Sequence, residues 1–174
     1  MTETDRSPGA APEPRPEPSR DQSPDQSPEP GPDAPACPPP GAAAWKPLRA
    51  GPFIDAIGPI LRARDAAGAA VYGFASAARH ANALGSVHGG ALTSVLDQAL
   101  AVEAWNAAGR APTVTLQMDT RFIAAARAGD FLICRVRIRH RARGMIFLDA
   151  DLSAGTTLIA TATAVMKILS SKGR

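Results

Sequence analysis

The sequence is short of cysteine, of aromatic rings and of long apolar runs. Its two cysteines, Cys37 and Cys134, stand far apart. A disulfide framework or a zinc site needs more ligands at closer spacing, so a reduced, cytoplasmic setting fits best. The N-terminus lacks the apolar core of a signal peptide. No run approaches the ~20 apolar residues of a membrane span, so a soluble protein with no membrane partner is expected. Aromatic residues make up only 5% of the chain, and none precedes Trp45. That scarcity weighs against a nucleic-acid surface, which needs exposed rings for base stacking.

What is present divides the chain in two. Residues 1–44 hold 13 of the 17 prolines and three Arg against eight Asp/Glu, a net charge of −5. Residues 45–174 hold 16 Lys/Arg against eight Asp/Glu, a net of +8. The first part includes the tandem repeat Asp21-Gln22-Ser23-Pro24, Asp25-Gln26-Ser27-Pro28. It cannot bury enough apolar surface to offset the entropy of ordering it, and reads as an extended, disordered tail. The second part, 130 residues long, is the size of one domain. A multidomain enzyme is excluded, and a cofactor-binding fold of more than about 200 residues is disfavoured. Neither a metal nor a cofactor is expected.

Two short apolar segments, Ile57 to Arg64 and Ala70 to Ala75, flank a turn at Asp65-Ala66-Ala67-Gly68 and read as a hairpin. Arg79 to Val87 reads as a loop. Gly90 to Ala108 carries Leu92, Val95, Leu96, Ala99, Leu100 and Val102 at helical spacing, and Gly109 and Pro112 follow as stop signals. The period then becomes two. Thr113 to Ile123 alternates Val114, Leu116 and Met118 with Thr115, Gln117 and Asp119. Phe131 to Arg141, Met145 to Ala154 and Thr157 to Leu169 are three further strands, and the short connections suit an antiparallel meander. Two strands, a long apolar helix and four strands predict an α+β fold in which a curled sheet buries the helix. Arg135, Arg137 and Arg139 share a sheet face with Asp149 and Asp151, which favours an Arg/Asp ladder over a phosphate surface.

One segment is dense in chemical groups: Asn82-Ala83-Leu84-Gly85-Ser86-Val87-His88-Gly89-Gly90, followed by Asp97. His88-Gly89-Gly90 lies where the loop enters the helix, so unpaired N–H groups and the positive end of the helix dipole meet there. Such a point suits developing negative charge, and a substrate carbonyl can approach Gly89 closely because it has no side chain. Asp97, about two turns into an apolar helix, needs a task or a partner, and facing a cleft it serves as nucleophile or general base.

The spacing Asn82-x-x-Gly85-x-x-His88-Gly89-Gly90, with an acid nine residues after the histidine, resembles the signature of PaaI-like hotdog-fold acyl-CoA thioesterases. Thr113-Val114-Thr115, Phe122 and Ala128-Gly129-Asp130 resemble that family's strand after the helix. The resemblance covers about residues 52–168. It implies a curled antiparallel sheet around one long helix and an acyl- or aryl-CoA substrate. It also implies catalysis by Asp97, an oxyanion contact from the Gly89 N–H, positioning by Asn82 and His88, and assistance from Thr115. Gly90, Arg139, Arg141 and Arg143 are candidates for substrate and coenzyme A binding, the arginines through its phosphates. The family's site lies between subunits, so a homodimer or dimer of dimers is implied, with Asp97 of one chain facing Asn82, His88 and Gly89 of the other.

There are departures. Ala124-Ala125-Ala126-Arg127 lacks the proline common in that turn. Ala101 lacks the hydroxyl that binds water in some relatives, leaving direct attack and water activation both open. His80 and His140 have no motif around them, and Cys134 reads as a buried apolar group. The competing readings are a non-catalytic acyl-CoA sensor and a hotdog dehydratase, whose His and acid arrangement is not found here.

Overall fold

The computed structural model describes residues 45–169. The proline-rich tail of residues 1–44, its tandem repeat and Cys37 lie outside the described residues. In chain order the elements are β1 (Lys46–Pro47), α1 (Pro52–Ile57), β2 (Ile60–Arg64), β3 (Ala70–Ala75), a 3-10 turn (Ala78–His80), α2 (Gly89–Ala107), β4 (Thr113–Phe122), β5 (Phe131–Ala142), β6 (Met145–Ala154) and β7 (Thr157–Ile168). Hydrophobic periodicity places the long elements within a few residues of where they lie. It misses β1 and α1. The first strand begins at Ile60 rather than Ile57, because Pro52 opens a short helix in its first turn and Gly58 ends it.

The strands form one sheet in the order β1-β2-β3-β5-β6-β7-β4, and every pairing is antiparallel. The expected four-strand meander is therefore corrected. Of those four strands, only β5, β6 and β7 are consecutive neighbours. A helix of 19 residues is about 28 Å long, and it carries the chain across the concave face. β4 consequently pairs with β7 at the far edge instead of beside β5.

Leu92, Val95, Leu96, Ala99, Leu100 and Ala104 of α2 are buried against Phe74, Leu132, Ile146, Leu148 and Leu152 of the sheet. This is the hotdog layout, a sheet curled around one helix. Burial of the apolar stripe is the main stabilising term, each large side chain contributing about 1.5–3 kcal/mol.

Three register shifts reset the alternation, one of them in the β6–β7 pairing between Leu152 and Ser153. In β4 the register shifts between Thr115 and Gln117, with Leu116 as the extra residue. Thr115, Met118, Thr120 and Phe122 all pair with inward residues of β7, so Met118 does not share a face with Val114 as strict alternation predicts. In β5 the shift lies between Ile138 and His140, with a parallel consequence. Arg137 and Arg139 stay on the convex face and pair with Asp151 at 2.8 Å and Asp149 at 3.3 Å. Arg141 turns to the helix side, opposite buried Ile146.

Candidate active site

The loop before α2 is built by Asn82. Its side-chain oxygen accepts the N–H groups of Leu84 at 2.9 Å and Ser86 at 3.2 Å, while its own N–H reaches Ser86 O at 2.7 Å. The loop reverses at Gly85, whose φ of +80° is a conformation that favours glycine. The amide nitrogen of Asn82 has no partner among the described residues.

His88 is the N-cap of α2, with Nδ1 accepting the Gly90 N–H at 2.8 Å. That bond fixes the tautomer, leaving Nε2 to carry the proton. Ala91 and Leu92 donate to the His88 carbonyl. The Gly89 N–H, first of the helix, has no intrahelical acceptor and no partner among the described residues. A Cβ on Gly89 would stand 3.2 Å from the Phe122 ring, so any larger residue here would press on that ring.

Asp97 lies on the flank of α2 that faces β4. Thr115 donates to its Oδ1 at 2.9 Å, which orients the carboxylate and leaves Oδ2 without a partner among the described residues. The hydroxyl reaches inward because Thr115 precedes the bulge and pairs with buried Met166. Asp97 and Gly89 are eight residues apart on one helix, an axial separation of about 12 Å. One chain therefore cannot bring both to the same carbonyl.

The segment after β4 completes the surroundings. A cavity of about 400 Å³ lies beside Gly89, lined by Asn82, Val87, Leu92, Phe122, Ile123 and Ala126 among others. The turn without proline is held by other means. Asp130 accepts the Arg127 N–H at 2.7 Å, and buried Ser76 bonds Arg127 O, Asp130 O and the Gly129 N–H. A second cavity, of about 610 Å³, opens on the other side of the helix start. It contains His88 and Gly90 with Phe53, Ile57 and Arg79.

The predicted residues thus fall into groups. Asn82 and Gly89 share one cavity, His88 and Gly90 the next, and Asp97 with Thr115 forms a pair two turns along the helix. Of the arginines, Arg141 and Arg143 lie towards its far end, whereas Arg139 stays on the convex face with Asp149 and away from the helix. Arg141 donates to Ala107 O at the C-terminus of α2; Arg143 sits in the β5–β6 turn, exposed, with φ +46°. No cluster of three or more His, Cys, Asp or Glu capable of holding a metal is present among the described residues. No helix among them is long and apolar enough to cross a membrane.

Sequence reasoning missed His80. It is buried, its Nδ1 accepts the Ala77 N–H at 2.9 Å, and its Nε2 meets Ile57 O at 2.6 Å. Its backbone carbonyl accepts the His88 N–H at 2.7 Å. It brackets α1 to the loop that presents Gly89. A histidine two residues before Asn82 was the one signal available, and nothing in the local pattern distinguishes such a bracket from a surface histidine.

Residues 84–160 match the family described as the thioesterase superfamily. The chain is 31% identical over 126 residues to PA0474, a candidate esterase of Pseudomonas aeruginosa, covering 71% of this chain and 94% of that protein. Two solved structures share the fold at 22% identity. The E. coli PaaI protein, from the phenylacetic acid degradation operon, gives a TM-score of 0.53 over 58% of this chain and 72% of its own. A hypothetical thioesterase of Streptococcus pneumoniae, solved with coenzyme A, gives 0.55 over 60% of this chain and 83% of its own.

Proposed function

Because the chain belongs to the thioesterase superfamily, with a PaaI-like hotdog fold, we propose that it hydrolyses an acyl- or aryl-CoA thioester to the free acid and coenzyme A. The observation that carries this reading is the pair of groups on α2. A free N–H at Gly89 opens onto an apolar cavity, and a carboxylate at Asp97 is oriented by Thr115. The coenzyme A bound to the S. pneumoniae protein supports the choice of thioester.

In this reading two chains share each site. The thioester oxygen accepts the Gly89 N–H of one subunit, a donor worth about 3 kcal/mol in the transition state. Asp97 of the partner subunit reaches the carbonyl carbon or a water beside it. By direct attack, its Oδ2 bonds to the carbonyl carbon, the coenzyme A thiolate leaves, and water opens the resulting anhydride. By water activation, Asp97 takes a proton from water as the hydroxide adds, and the thiolate leaves from the tetrahedral intermediate. Asn82 offers its free amide nitrogen to the substrate, and His88 positions the Gly89 N–H by capping the helix. The arginines fit the same arrangement. Ala107, which Arg141 of its own chain contacts, is ten residues from Asp97, about 15 Å along the helix. The hairpin end carrying Arg141 and Arg143 therefore lies on the side of the subunit that supplies Asp97, within a pantetheine arm's reach for the phosphates, whereas Arg139 is turned to the convex face beside Asp149. A cytoplasmic setting belongs to the same reading, since acyl-CoA esters are its substrates.

A panel of acyl- and aryl-CoA esters, assayed for free thiol, tests it. Wild-type protein releases thiol from at least one ester. Asp97→Ala lowers kcat at least about a hundredfold, as expected for loss of a general base or nucleophile, with unchanged thermal unfolding. Tight acyl-CoA binding without turnover in the wild type would identify a sensor instead.

A further inference from the structure

Phe122 is the last residue of β4 and is not a core aromatic. Its side is 57% exposed, whereas Phe74 is 1% exposed. Its ring nevertheless points inward, opposite buried Ala160. Three ring atoms stand 3.2, 3.5 and 3.7 Å from the position a Cβ on Gly89 would take. The ring therefore covers one side of Gly89, next to the free N–H, and lines the same cavity as Leu92 and Ile123. The inward direction depends on the bulge at Leu116. Thr115 and Phe122 are seven residues apart, an odd number that an unbroken strand would place on opposite faces.

We infer that Phe122 selects the acyl group, admitting thioesters that are unbranched next to the carbonyl and excluding those that are branched there. This inference rests on the reading of Gly89 as oxyanion donor. A carbonyl oxygen held by the Gly89 N–H puts its neighbouring acyl carbon against the exposed edge of the ring. A CH₂ group or a planar aryl carbon passes at van der Waals contact, while an extra methyl meets the ring. Phe122 cannot move aside towards the helix, because the Gly89 backbone already fills that space. Further along the acyl chain, Val87, Leu92 and Ala126 supply apolar contact without a comparable obstruction.

The test is the ratio of kcat/KM for pivaloyl-CoA to that for butanoyl-CoA. Phe122→Ala raises the ratio by about tenfold or more, the scale on which a pocket discriminates single carbon groups. Phe122→Trp lowers it. The two variants shift it in opposite directions, which a general loss of stability or of subunit association would not do. Light scattering and thermal unfolding confirm that both retain the wild-type assembly and fold. If the wild type hydrolyses butanoyl-CoA and neither variant changes the ratio by more than about twofold, this inference is overturned and the thioesterase reading stands. If the wild type hydrolyses no acyl-CoA ester at all, both fall together.

Discussion

Cys134 and Tyr72 face each other across β5 and β3, both buried beneath α2. Burial pushes the Cys134 thiol up to about 12, with the Asp151 charge adding to the shift. Tyr72 is raised by burial first, then by its hydrogen bond to Glu103 and that carboxylate's charge. Both groups are neutral when protonated. In the unfolded chain they lose their protons near their ordinary values of 9.0 and 10.0, while the folded protein still holds them. The unfolded state then binds fewer protons, so stability falls as pH rises. The melting temperature is expected to be level up to about pH 8.5 and to decline from pH 9 towards 12, with Cys134→Ala removing part of the decline. A flat profile by differential scanning fluorimetry up to pH 11 would contradict these environments. The same scale holds the clearest limit of sequence reading. The apolar neighbours of Cys134 announce its burial. His80 has no such signal, because Ile57 O, which meets its Nε2, lies 23 residues away in another segment.

Among the elements, α2 and the long strands were legible because each follows one period for ten residues or more. The bulge in β4 was not. It is a pairing event, visible only once β7 lies alongside, and Thr-Val-Thr-Leu-Gln-Met reads as an unbroken alternation. Its consequence is large, since Thr115 reaches Asp97 and Phe122 reaches Gly89 only because Leu116 is extra. Deleting Leu116 removes the extra residue and leaves Thr115 and Phe122 an even number apart, so an unbroken strand still turns both to the concave face. That deletion is expected to retain the fold and most activity. Leu116→Ala, which keeps the bulge and trims an exposed side chain, is expected to cost less than about 1 kcal/mol. Loss of most activity in the deletion variant alone, in unfolding and turnover assays, would show that the bulge itself is needed and not only the facing it sets. The turn after β4 offers a second lesson. The absent proline is replaced by Asp130 and Ser76, and Ser76 lies 51 residues from Arg127 in sequence, beyond any local pattern.

At the scale of the molecule, β4 ends the sheet and carries exposed Val114 and Leu116, with Phe122 and Ile123 at its close. α2 exposes Trp105 on the side its own sheet does not cover. An unpaired edge rich in apolar side chains invites a second copy, and pairing two such edges gives a two-fold dimer with one continuous sheet. The 12 Å between Gly89 and Asp97 places the same demand on chemistry. Complementation measures it. Asp97→Ala protein mixed with a variant disrupted at both Asn82 and His88, under conditions shown to exchange subunits, is expected to regain up to about a quarter of wild-type activity. Random exchange makes half the dimers heterodimers, each with one intact site of two. Failure to regain any activity would refute a shared site.

The sequence by itself determined the class of fold, the limits of the long elements and the residues worth testing. Those depend on local chemistry: the period of apolar side chains, glycines where the chain turns, and an acid set into an apolar helix. Tertiary structure alone decided the strand order, the register shifts, the diversion of Arg141 to the end of α2, and the contact of Phe122 with Gly89. Each of these is a relation between segments far apart in the chain. Pairing energy and packing settle such relations only when the sheet closes over the helix.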